Sequence, residues 1–492
     1  MQLPIYEINC LGYRDVNGEG EPSPEARRPG RAVQRVLIAN RGEIALRAAR
    51  ACRAVGLESV AVYSEADAAS PHRWVADAAW CVGPAPSTAS YLNSPALLHV
   101  AKASGCDAVY PGYGFLAENA DFAGRCAAEG LAFIGPRPET IRLMGDKARA
   151  RAAAEQAGVP IVPGSQTAFD GLDEARGAAE AIGFPLLLKA RSGGGGRGMR
   201  VADDRTAFER LFEQARGEAE AAFGDGAIYL ERFLARVRHI EVQLFGDSGG
   251  RVVQLGERDC TVQRRHQKLV EEAPSPALDA ETRVALLDAA VRLGRSVGYE
   301  GAGTVEFVYE PESRAFYFIE MNTRIQVEHP VTEALTGLDL VALQLRVARG
   351  EALGEHLDGA AAQGHAIEFR INAENWRNGF TPSPGRLARW RPPAGEGVRL
   401  DSHVYEGYLV PPFYDSMIGK LIVSGADRAD ALSRAERAIG AFACDGIATT
   451  LGFHQALLAD PAFRDGGIHT RWVEAEFLAD EREDDRWDGP SS

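Results

Sequence analysis

The first strongly apolar stretch of the chain is Val36-Leu37-Ile38-Ala39, a run suited to a buried strand. It leads into NRGEIALRAARACRAVG, where Ile44, Leu46, Ala49, Cys52 and Val55 fall near helical spacing and Gly56 supplies a stop. A second apolar run at 59–63 completes a strand–helix–strand unit, which implies parallel pairing. The pattern recurs at 108–110 and 132–134, so 35–135 reads as an open parallel α/β domain. A smaller unit at 161–234 holds a strand over 185–189, a glycine run, a helix over 206–222 and a strand over 227–231. We expect it to form an α+β lid. Beyond 235 the text turns strand-rich (HIEVQLFG, RVVQLGERD, GTVEFVYE, AFYFIEMN), with the alternation of half-buried antiparallel strands. Helices are predicted at 279–297, 337–349 and 427–442, and further strands at AIEFRIN and KLIVSG. This makes 235–478 a core and C-terminal domain with an antiparallel sheet. Residues 1–34 read as a flexible extension and 479–492 as an acidic, disordered tail.

Composition narrows the function classes. A net charge of -15 excludes a general nucleic-acid binder, because phosphate backbones need a basic surface. There is no run of 18 apolar residues and no secretory pattern at the N-terminus, so neither a membrane span nor export is expected. Seven scattered cysteines without a CxxC pair fit reduced thiols in a cytoplasm. Only five of the 54 basic residues are lysine: Lys102, Lys147, Lys189, Lys268 and Lys420. Genome composition explains the bias, yet a retained lysine marks a place where a compact ammonium is preferred to a planar fork.

Three groups of residues carry candidate chemistry. The run 192–198 (SGGGGRG) follows a strand ending in Lys189, which favours a phosphate-covering loop over a linker. Its spacing fits neither a Walker loop nor a dinucleotide fingerprint. Glu320 and Asn322, two apart on a strand, face one side, and Glu306 on a neighbouring strand can join them. Such oxygens suit Mg²⁺; the bland alternative is a solvated acidic face. Finally, QRRHQK (Arg264, Arg265, His266, Lys268) and NTRIQVEHP (Arg324, Glu328, His329) place cations in an acidic protein. They are either a solvated loop, an ion-pair network or one site for several anions, and only the last explains both segments together.

These segments, with IANRGEIALRAARAC, YPGYGFLAENADFA, KARSGGGGRGM and PPFYDSMIGKL, resemble the biotin carboxylase family from about 35 to 478. The resemblance implies an ATP-grasp fold: a pre-ATP-grasp α/β domain, a mobile lid and a C-terminal domain. It implies ATP with Mg²⁺ or Mn²⁺, bicarbonate, and biotin borne by a separate carrier protein, with carboxyltransferase subunits as further partners and a possible homodimer. It assigns Lys147, Lys189, Gly195, Gly196, Glu231, Arg232, Phe233, Leu234, His239 and His266 to the nucleotide. Glu306, Glu320 and Asn322 would hold the metal, and Lys268, Arg324, Gln326 and Val327 bicarbonate. Glu328 would be the general base, Arg370 would stabilise the biotin enolate, and Tyr113 would lie near the ureido ring. No AMKM-type attachment motif occurs, so biotin is expected on another polypeptide. Two rivals stay open: another ATP-grasp carboxylate–amine ligase, or a non-catalytic assembly or regulatory subunit impaired at Arg191, where the family usually has a small residue.

Overall fold

The computed structural model of the chain describes residues 33–165, 167–190, 199–223, 225–357 and 362–479. The predicted extension up to residue 32, the tail from 480, Arg191 and the glycine run with Gly195 and Gly196 lie outside these.

Strands β1 (Arg35–Ile38), β2 (Glu58–Tyr63), β3 (Ala78–Cys81), β4 (Ala108–Tyr110) and β5 (Ala132–Phe133) form a parallel sheet in the order β3-β2-β1-β4-β5. Both faces of its centre are covered, which is why β1 reads as an unbroken apolar run rather than an alternating one. The helix Gly42–Ala54 follows β1. It stops where Gly56 takes φ +71°, and the Leu57 amide turns back to donate to the Cys52 carbonyl at 2.8 Å.

Three antiparallel strands, β6 (Leu186–Ala190), β7 (Met199–Ala202) and β8 (Ile228–Arg232), form a small sheet in the order β7-β6-β8. With the helices Leu172–Ile182 and Arg205–Phe223 it has a core of its own, built on Leu186, Leu188, Phe208, Phe212, Ile228 and Leu230.

Among the described residues, eight further strands build one antiparallel sheet, and three two-stranded ribbons lie outside it. Its order is β13 (Ala315–Asn322), β12 (Gly301–Glu310), β9 (Arg238–Gly246), β10 (Val252–Arg264), β11 (Gln267–Ala273) and β14 (His365–Asn372), continued by Met417–Gly425 and Val398–Ser402. The predicted helices appear as Ala280–Ser296, Leu340–Ala348 and Arg428–Ala441, each opened by an aspartate N-cap: Asp279, Asp339 and Asp427. One expectation is corrected. The inner strands β9 and β12 are not half-solvated but buried along almost their whole length, including Glu241 and Gln243, whereas β13 is half-buried as expected. The helix Ala280–Ser296 packs on β9 and β10, and His329–Thr336 packs on β10, β11 and β14. Alternation therefore separated an apolar face from a dry polar one, not from water.

Candidate active site

A cleft of about 2150 Å³ is lined from the parallel, the small and the large sheet. The loops after β1 and β4 contribute Asn40, Gly42 and Tyr113, the small sheet contributes Lys189 and Glu231, and the large sheet contributes His239, Lys268, Glu306, Glu320 and Arg370. The parallel strands thus meet the cleft at their carboxyl ends, where loops free of ladder hydrogen bonds can hold a ligand.

Its floor is a network of buried ions. The Lys268 ammonium donates to Glu241 at 2.5 Å, Glu328 at 2.6 Å and Glu306 at 3.2 Å. Arg370 donates from Nε to Glu271 at 2.6 Å and from Nη2 to Glu328 at 2.9 Å. Beneath them the fully buried Arg258 donates to Glu241, Gln243, Thr304, Gln326 and Thr332 at 2.6–3.2 Å. Gln326 and Asn322 each donate to the Glu306 carboxylate at 2.8 Å. Arg324 donates to Glu118 and to the Asn322 carbonyl, both at 2.8 Å. Every cation here touches at least one carboxylate or amide oxygen, as buried charges must to remain ionised.

Strand register explains the metal-candidate acids. Glu306 on β12 lies opposite Glu320 on β13, and Thr304 opposite Asn322. The two carboxylates share one face at the cleft wall. His239 Nε2 lies 3.1 Å from the second Glu306 oxygen. Glu320, Glu306 and the Asn322 side-chain carbonyl are hard oxygen donors on the wall of the cleft, a set that fits Mg²⁺.

Charge shifts follow from these contacts. Burial raises the Glu328 carboxyl, but Lys268, Arg370 and Arg258 outweigh it and hold the group well below the usual range. Glu306 is likewise held low by Lys268 and His239 against its burial. Glu320 moves up, through burial and the nearby Glu306 and Glu118 carboxylates, with Lys147 and His239 opposing. A bound cation would relieve that repulsion.

The turn joining β10 to β11 is unusual. Arg265 and His266 both have positive φ, +48° and +65°, the geometry of a two-residue hairpin that normally takes Asn or Gly. Strain of this kind gathers at functional sites, and both residues line the cleft. The basic cluster is nevertheless not one anion site. The Arg264 guanidinium lies 4.7 Å over the Phe380 ring, and Arg265 faces Glu474 at 3.9 Å, so Lys268 alone among them enters the acidic network.

Of the sequence-predicted residues, Tyr113, Lys147, Lys189, Glu231, His239, His266, Lys268, Glu306, Glu320, Asn322, Arg324, Gln326, Val327, Glu328 and Arg370 all line the cleft. Lys189 pairs with Glu231. Arg232, Phe233 and Leu234 are not among the lining residues: Arg232 pairs with Glu310 at 3.1 Å, and the Phe233 ring lies under Arg471 at 5.2 Å. Tyr113 is tied down rather than free, donating to Glu43 at 2.7 Å. Sequence reasoning missed Glu43, Glu118, Glu241, Arg258, Glu271, Glu368 and Lys420. Lys420 is fully buried, 3.2 Å from Glu43, and donates to the Val327 carbonyl at 2.9 Å, fixing the backbone beside Glu328. Its signal was present in the scarcity of lysine.

Three known families match successive stretches of the chain. Residues 32–141 match the family "Biotin carboxylase, N-terminal domain", 146–356 "Carbamoyl-phosphate synthase L chain, ATP binding domain", and 368–475 "Biotin carboxylase C-terminal domain". A biotin carboxylase of Nostoc sp. is 52% identical over 440 residues, spanning 89% of this chain and 98% of its own. The Campylobacter jejuni biotin carboxylase in complex with β-γ-ATP superposes with a TM-score of 0.82 at 46% identity, over 90% of this chain and 98% of that one. The biotin carboxylase domain dimer of Hydrogenobacter thermophilus 2-oxoglutarate carboxylase, solved with MgADP and bicarbonate, has a TM-score of 0.81 at 43% identity, over 94% and 100% of the two chains.

Proposed function

The chain belongs to the biotin carboxylase family and is an ATP-dependent biotin carboxylase, and from that premise we propose how its cleft divides the work. Lys147 and Lys189 contact the nucleotide phosphates, and Glu231 and His239 border the nucleotide. Gly195 and Gly196, with the backbone of Arg232, Phe233 and Leu234, complete the nucleotide pocket, and His266 flanks it from the strained turn. Glu306, Glu320 and Asn322 hold Mg²⁺ or Mn²⁺, which supplies charge neutralisation on the transferred phosphoryl group.

Bicarbonate sits between Lys268, Arg324, Gln326 and the Val327 backbone. Glu328 takes its proton, and a bicarbonate oxygen attacks the γ-phosphorus to give carboxyphosphate and ADP. The low proton affinity of Glu328 in the resting cleft keeps it ionised and ready. An anion bound between Lys268 and Arg324 offsets those cations, so the carboxylate becomes a stronger base when its substrate is in place. Carboxyphosphate is labile in water, and the lid unit excludes water while it lasts. It breaks down to CO₂ and phosphate; phosphate accepts the biotin N1 proton, and the enolate so formed takes up CO₂. Arg370, permanently charged, balances the enolate oxygen, with Tyr113 alongside the ureido ring.

The observation that carries this reading is Glu328 held between Lys268 and Arg370 in the same cleft as the Glu306–Glu320 pair. Phosphate release from MgATP plus bicarbonate, with and without free biotin, tests it: stimulation by biotin is expected, and its absence in folded protein refutes the assignment. The same measurement separates the rivals, since a carboxylate–amine ligase responds to an amine instead and an assembly subunit to neither. We further infer a biotin carboxyl carrier protein and carboxyltransferase subunits as partners, a homodimer, and a role in an acetyl-CoA or related acyl-CoA carboxylase of fatty acid biosynthesis. Among the described residues no helix is long and apolar enough to cross a membrane. Six described cysteines are free thiols, which supports a cytoplasmic setting.

A further inference from the structure

Arg370 reaches the cleft from β14, but what aims it lies behind. On β11, Glu271 stands directly opposite Glu368 of β14, two residues before Arg370. Glu271 is fully buried and is not among the cleft-lining residues, so it meets no substrate. Its Oε1 accepts from Arg370 Nε at 2.6 Å and lies 2.5 Å from Nη2. That same Nη2 donates to Glu328 at 2.9 Å. One nitrogen is thus shared between the proposed base and a carboxylate below it.

The sharing has a consequence for the reaction proposed above, on which this inference rests. When Glu328 takes the bicarbonate proton it loses its charge, and its hold on Nη2 weakens. Glu271, which does not line the cleft, takes no proton from bicarbonate and keeps its contact with Arg370. We infer that Glu271 is the positioning residue of Arg370, keeping the guanidinium in place after Glu328 is protonated so that its outer nitrogens meet the biotin oxyanion.

The surroundings fit this role. Glu271 Oε2 and both Glu368 oxygens have no hydrogen-bond partner among the described residues, although all three are buried. Two carboxyls facing each other in a dry site do not both ionise. Burial pushes both carboxyls up: Glu368 goes well above its usual range, with Glu271 adding to the rise and Lys420 and Arg370 opposing, while Glu271, held down by Arg370, rises only to about 7, so the shared proton sits on Glu368. The pair therefore anchors Arg370 without stacking a further full charge against it, leaving the guanidinium's charge for the cleft.

The test is a double-mutant cycle in the full chain, reading biotin-dependent phosphate release. Glu271→Gln keeps the shape of the side chain and removes its charge. It should lower kcat by about tenfold or more, while KM for ATP moves by less than about threefold. In an Arg370→Ala background the same change should alter kcat by less than about twofold, because its target is gone. Glu271→Asp, which keeps the charge but withdraws it by one methylene, should fall between parent and Glu271→Gln, and it replaces the glutamine variant in the cycle if that one does not fold. A kcat equal to the parent's, or two effects that multiply independently, overturns the inference. If biotin fails to stimulate the parent protein, the proposed function has failed, which is distinguishable from a failure of Glu271 alone.

Discussion

Replacing Glu328 by glutamine makes the sharpest single perturbation. The side chain is buried and its two oxygens are split between Lys268 at 2.6 Å and Arg370 at 2.9 Å. Glutamine keeps the volume, loses the charge and cannot accept the bicarbonate proton. General-base catalysis of this kind is worth about 10²–10⁴ in rate, or about 3–5 kcal/mol of barrier. Stability should suffer less. Breaking a buried pair costs about 3–5 kcal/mol when the remaining charge is stranded. Here Lys268 keeps Glu241 and Glu306, and Arg370 keeps Glu271, so neither is stranded. We expect a loss of about 1–3 kcal/mol of stability. Steady-state phosphate release should then fall by at least about 10² while thermal stabilisation by MgADP persists, since the nucleotide contacts are elsewhere. Turnover within about threefold of the parent would remove Glu328 from its role and break the reasoning that links its two cations to catalysis.

Other outcomes follow from the same contacts. Arg370→Ala should cut the stimulation of phosphate release by biotin by about tenfold or more, leaving a measurable remainder; stimulation at the parent's level excludes it from the biotin step. Chelation of divalent metal with EDTA should stop ATP turnover, and added Mg²⁺ or Mn²⁺ should restore it. Lys420→Met strands the Glu43 carboxylate in a dry site and should destabilise the protein by about 3–5 kcal/mol in denaturant titration. Glu272 is buried, but His365 and Arg428 bring its carboxyl down to about 2. Its folded value lies below its unfolded one, so its contribution, about 3 kcal/mol, is fully present above about pH 4.5 and is lost as pH falls toward 2. Glu272→Gln should flatten that part of the stability–pH curve, and an unchanged slope contradicts the pairing.

Much of the fold was readable because local signals agreed. The parallel sheet declared itself in short apolar runs, and three aspartate caps set helix starts to within a few residues of their predicted positions. The pairing of Glu306 with Glu320 followed from two-residue periodicity once the strands were neighbours. What stayed hidden was polar but dry. Glu241, Arg258, Glu271 and Glu368 sit on strands whose alternation looks like a solvated face, and nothing local says that helix His329–Thr336 covers it. Glu118 was equally invisible as a partner, since it meets Arg324 across a separation of 206 residues. In the turn Arg265-His266 the residue types conceal a left-handed geometry that asparagine or glycine would have announced.

Catalysis in this cleft rests on a bicarbonate oxygen attacking the γ-phosphorus above Glu328. Turnover of ATP with ¹⁸O-labelled bicarbonate and biotin, followed by mass analysis of the released phosphate, tests that step directly. Attack by bicarbonate requires that each phosphate carry one bicarbonate-derived oxygen. Phosphate free of label would mean that water, not bicarbonate, cleaves ATP, and would contradict it.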